Sequence, residues 1–104
     1  MTILIVIRGI VAGYRIEDEL AQFGGYIHGW RMVLGLSAQL VAERASISRD
    51  TLRKIEKGDA TVSFKSVAQV LRALGILETA VNAIDPLASD IGRLRAGRLQ
   101  RSRV

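Results

Sequence analysis

Apolar positions change their spacing twice along the chain. Ile3, Leu4, Ile5, Val6 and Ile7 are consecutive, and four of the five are β-branched. Such a run predicts a strand better than a helix. From about residue 17 to 84, apolar positions return every three or four residues in short blocks separated by Gly and Ser. That spacing predicts a string of short helices. From about residue 85 the pattern opens at the only proline, Pro86, and becomes a basic tail with scattered aliphatics. The chain therefore divides into an apolar extension (1–16), a helical domain (17–84) and a tail (85–104). There is no internal repeat and no low-complexity run.

The helical zone carries its own stop and start signals. A first helix runs from about Glu17 to Leu34, interrupted or restarted at Gly24-Gly25, with Trp30, Val33 and Leu34 expected in the core. Gly35 ends it, and Ser37 caps the next helix. Val41, Ala42 and Ala45 form the inner face of that helix. "SIS" is a tight turn, and Ser48 caps a third helix that ends at Gly58. Leu52 and Ile55 share one face of it. Ser63 caps a fourth helix with Phe64, Val67, Val70, Leu71 and Leu74 inward, and Gly75 ends it. A fifth short helix covers Leu77 to about Ala83.

The third helix has a second face. Arg49, Arg53 and Lys57 recur every four residues, and like charges at that spacing repel. A row of three cations costs stability unless a polyanion neutralises it. Composition points the same way: Lys plus Arg number 15 against 10 acids, and the pI is near 10.4. That balance favours an anionic partner, nucleic acid first. At 49% hydrophobic the composition is globular. With few aromatics, the core is expected to be Leu, Ile, Val and Ala.

Other chemistry finds little footing. There is no cysteine, hence no disulfide and no thiolate. His28 is the only histidine and cannot form a metal cluster alone; it reads as a surface or packing residue. Asp18 and Glu19 are adjacent, so they point to different sides of a helix and suit its N-terminus. No Ser/His/Asp set or phosphate-gripping loop is present, so no enzyme activity and no cofactor are expected. The run at Ile3–Ile7 is far shorter than the roughly 20 residues that span a bilayer. A cytoplasmic, nucleoid-associated protein is the expectation.

The segment "RMVLGLSAQLVAERASISRDTLRKIEKG", followed by "SFKSVAQVLRALG", resembles the Xre family of Cro/repressor-type helix-turn-helix domains. The tail "DPLASDIGRLRAGRLQRSRV" resembles the ends of HipB-like antitoxins. The resemblance implies an all-α, five-helix, lambda-repressor-like domain with Ser48–Lys57 as recognition helix in the DNA major groove. It implies base-reading positions at Arg49, Asp50, Thr51, Arg53 and Lys54. Asp50 could instead hold Lys54 or orient Arg53. Candidate phosphate contacts are Ser37, Gln39, Ser48, Lys57 and Lys65. Arg31 and Glu56 match an internal ion pair of the family. Two positions depart from its pattern. Ala38 stands where Gln often reaches the DNA. Ser46 stands where a left-handed Gly is usual, at a cost of about 1 kcal/mol.

The two ends extend the expectation. Ile3, Leu4, Ile5, Val6 and Ile7 would pair with their counterparts across a two-fold axis, giving the homodimer that a palindromic operator demands; otherwise they form an upstream segment of no functional weight. Arg93, Arg95, Arg98, Arg101 and Arg103 surround Ile91, Leu94 and Leu99. Those three aliphatics would anchor a HipA-like kinase toxin or dock on their own domain; a free basic arm on DNA is the alternative. The expected function is a DNA-binding repressor and the antitoxin of such an operon. The alternatives are a stand-alone Xre or phage-type repressor and a toxin-inhibiting interaction module.

Overall fold

The computed structural model describes residues 15–98. The expected strand at Ile3–Ile7, and Leu99 of the tail, lie outside that span. The regular structure of the described residues is helical. Four helices belong to a first unit that reaches Leu74: α1 (Ile16–Val33), α2 (Ala38–Ala45), α3 (Arg49–Glu56) and α4 (Phe64–Ala73). A second unit starts at Gly75. It holds α5 (Leu77–Ala83), a 3-10 turn at Pro86–Ala88, and α6 (Asp90–Leu94) packed on that turn.

The helix boundaries follow the capping chemistry. Ser37, Ser48 and Ser63 each accept the backbone N–H three residues on, from Leu40, Thr51 and Ser66. Glu17, Asp18 and Glu19 occupy the first turn of α1, where the helix dipole favours anions. Ser46 is the non-glycine residue with positive φ, at 58°. Its left-handed backbone turns α2 sharply into α3 and lets Ser46 N–H reach Glu43 and Ile47 N–H reach Ala42.

The core of the first unit is aliphatic. Val41, Ala42 and Ala45 of α2, Leu52 and Ile55 of α3, and Val70 and Leu71 of α4 with its C-cap Leu74 are buried together with Ile27. The packing pairs are α2 on α4, α1 on α3, α2 on α3, and α3 on α4.

Three expectations are corrected. Helix α1 is continuous through Gly24-Gly25. Gly24 serves close packing: a Cβ there would sit 2.5 Å from the Ile55 carbonyl oxygen and 2.6 Å from the Gly58 nitrogen. Next, Trp30, Val33 and Leu34 are not core residues; Val33 is 79% exposed. The face of α1 that meets α3 is the line Gly24, Ile27, Arg31, so the more apolar neighbouring line is turned outward. Finally, Phe64 is 86% exposed. As the first residue of α4 it overhangs an open apolar groove shared with Phe23, Val62 and Val67.

The Gly24 contact gives a direct check. Gly24→Ala should destabilise the protein by about 2–3 kcal/mol, because backbone rather than a flexible side chain stands in the way. Urea denaturation followed by circular dichroism measures this, and an unchanged midpoint would show that α1 and α3 do not meet there.

Candidate nucleic-acid interface

Helix α3 is amphipathic in the simplest sense. Leu52 and Ile55 point inward at 1% and 3% exposure. Arg49, Asp50, Arg53 and Lys57 stand outside, and Thr51 and Lys54 are half-buried. The cations are not equivalent. Asp50 accepts from Arg53 Nη2 at 2.6 Å and pairs with Lys54 Nζ at 3.3 Å. Those two cations hold the Asp50 carboxyl below the usual carboxylate range. Arg49 and Lys57 have no ion-pair partner among the described residues.

The ends of α2 and α3 add backbone donors. The hydroxyls of Ser37 and Ser48 are engaged as caps, and Ser48 also donates to Thr51 Oγ1 at 2.9 Å. The first amides of each helix are left without an intrahelical acceptor, which makes these ends ready for an anion. The Gln39 amide donates to Glu43 Oε1 at 2.8 Å within its own helix. Ala38 lies with Arg49, Asp50 and Arg53 around one open depression of about 440 Å³. The starts of α2 and α3 therefore form one continuous surface. Lys65 is exposed in the first turn of α4.

Behind this surface lies an ionic cluster. Arg31 Nε donates to Glu56 Oε2 at 2.7 Å and Nη2 to Oε1 at 3.0 Å, while Nη1 donates to the Leu36 carbonyl at 3.2 Å. The two side chains are 13% and 11% exposed. Burial pushes the Glu56 carboxyl up, but hydrogen bonds from Arg31 and His28 outweigh it and hold the group below its ordinary value. His28 is a surface residue, as the sequence suggests, and it also joins this cluster. Its Nδ1 lies 2.8 Å from Glu56 Oε1 and 3.2 Å from Arg31 Nη2. A carboxylate at the shorter distance requires an N–H, so Nδ1 carries the proton and donates to Glu56. The available signal was spacing: His28 and Arg31 are three apart and share a helix face.

In the second unit, Ile91 is 59% and Leu94 86% exposed. Arg93 pairs with Asp90 and donates to the Leu87 carbonyl at 3.0 Å. No helix of the described residues is long and apolar enough to cross a membrane.

Residues 22–84 match the family model of a helix-turn-helix domain. No curated protein and no solved structure matches the chain. The matched span contains α2, the left-handed turn at Ser46 and the cationic α3, and it covers more than half of the sequence. The chain thus belongs to the helix-turn-helix domain family of DNA-binding proteins.

Proposed function

We propose that the chain is a sequence-specific transcriptional repressor, acting as a dimer on a palindromic operator in double-stranded DNA. The observation that carries this is the exposed cationic row on α3, directly after the Ser46 turn and beside the amide-rich start of α2. Helix α3 lies in the major groove. Arg49 and Arg53 fork onto guanine O6 and N7. Asp50 aligns Arg53 and Lys54 through the contacts described above, so its own base contact is secondary. Thr51 offers its methyl to thymine. The helix ends at Ser37 and Ser48, with Gln39, Lys57 and Lys65, hold phosphates and fix the register. Repression follows from occupying a promoter, so no bond is made or broken and no cofactor is required.

The finer part of the proposal is that the protein is the antitoxin and autorepressor of a toxin–antitoxin operon. It is supported by the resemblance of the tail to HipB-like antitoxins and by the exposed Ile91 and Leu94. A HipA-like kinase toxin would be held by these residues together with Leu99. An operon neighbour without kinase character would reduce the reading to a stand-alone repressor.

Footprinting on the DNA upstream of the gene tests the proposal. Two protected half-sites with centres about 34 Å, one helical turn, apart are expected. Uniform protection of any DNA, or none, would overturn it.

A further inference from the structure

We propose that the outer face of α1 is the surface on which two copies of this chain pair, helix against helix across a two-fold axis. Two independent features carry this.

The first is an exposed apolar seam. Phe23, Tyr26, Trp30 and Val33 follow one another at intervals of three, four and three, which draws a single line along a helix. They are 48%, 63%, 46% and 79% exposed. Three of the five aromatic residues of the chain stand in this line. Single exposed aliphatics are ordinary on a protein surface, but a contiguous aromatic seam marks a contact site.

The second feature is a pair of glycines that no contact among the described residues requires. Gly24 is accounted for by the approach of α3. A Cβ at Gly25 or Gly29, by contrast, would meet nothing within 4 Å among the described residues. Glycine is a poor helix former, so two of them inside an 18-residue helix call for a compensating contact. They lower the helix surface and allow another backbone to come close. Gly29 forms the floor of an open apolar depression of about 350 Å³ walled by Tyr26, Trp30 and Val33.

A second copy fits this face better than any charged partner. The seam carries no charge, which excludes nucleic acid as its occupant. Protruding aromatics and a glycine hollow lie on the same patch, and an isologous contact needs such self-complementarity. Three half-exposed aromatics and Val33 offer on the order of 500 Å² per protomer. Doubled, that reaches the roughly 1,000 Å² at which specific interfaces begin. The inference supplies the dimer invoked under the proposed function. Its test uses no DNA, so its failure would leave the role of α3 standing.

Sedimentation equilibrium of the full chain at micromolar concentration provides the test, with Gly29→Glu and Ile5→Asp as variants. The natural chain should be a dimer. Gly29→Glu should associate at least tenfold more weakly and keep its helical circular dichroism, because a Cβ there meets nothing among the described residues. Ile5→Asp should associate as the natural chain does. The single tryptophan, Trp30, gives a second readout. Its emission should move to shorter wavelength with rising concentration in the natural chain and not in Gly29→Glu. A natural chain that stays monomeric, or a Gly29→Glu variant that dimerises as tightly, overturns the proposal. So does an Ile5→Asp variant that is monomeric while Gly29→Glu is not, since the contact would then lie in the N-terminal run.

Discussion

Glu56→Ala should remove about 3 kcal/mol of stability at neutral pH, which for a chain of this size lowers the melting temperature by roughly 10–20 °C. The carboxylate is the acceptor for two nitrogens of Arg31 and for His28. Without it, the Arg31 side chain, only 13% exposed, keeps the Leu36 carbonyl as its remaining acceptor. An uncompensated covered charge costs more than the pair itself contributes. The cluster also ties α1 to the end of α3, so its loss loosens the helix proposed to face DNA. Glu56→Gln keeps the shape and one acceptor and should lose less.

The pH dependence has a fixed sign. Glu56 titrates below its ordinary value of 4.5 in the folded protein. Its contribution is therefore complete above that value and is lost as pH falls through the lowered one. Thermal melts between pH 7 and pH 3 should show the natural protein losing stability below about pH 4.5, with the Glu56→Ala variant changing less over the same interval. Equal melting temperatures at pH 7 would mean that the cluster does not support the fold.

Local signals in the sequence were sufficient wherever a helix end was concerned. Ser37, Ser48 and Ser63 act through their nearest neighbours, and Gly35, Gly58 and Gly75 take positive φ because short-range geometry demands it. The inward faces of α2 and α3 were legible for the same reason: each has one apolar line and one polar line. Helix α1 was not legible in this way. It carries two parallel lines, Gly24-Ile27-Arg31 and Phe23-Tyr26-Trp30-Val33, and the second is the more apolar. Hydrophobicity selects the second for the core. Backbone approach at Gly24 and the Arg31–Glu56 bond select the first. Both are tertiary effects that no spacing within α1 reveals. The bond of His28 to Glu56 was not legible because the two are 28 residues apart. The cationic row on α3 was visible as a pattern, but its inner wiring through Asp50 became definite only with the coordinates.

Replacing both Arg49 and Arg53 by alanine should weaken binding to the operator by several hundred-fold. Each bidentate guanine contact discriminates by about 1–3 kcal/mol, and 1.4 kcal/mol is a factor of ten. Both side chains are exposed, so folding should be unaffected. The loss should fall on specific binding, because base contacts specify while phosphate contacts only position. Arg53 leaves behind an Asp50 that still holds Lys54. The double variant therefore also places a less neutralised carboxylate against the groove, which adds to the loss.

The outer face of α3 is proposed to read base sequence. The most direct test is the ratio of affinities for upstream and scrambled DNA, measured by fluorescence anisotropy at two salt concentrations for the natural protein and for Arg49→Ala/Arg53→Ala. A ratio of about a thousand or more is expected for the natural protein, falling towards one in the variant, with scrambled-DNA binding only modestly weakened. A ratio near one for the natural protein, unchanged in the variant, would contradict it and leave α3 as a charged face without a code.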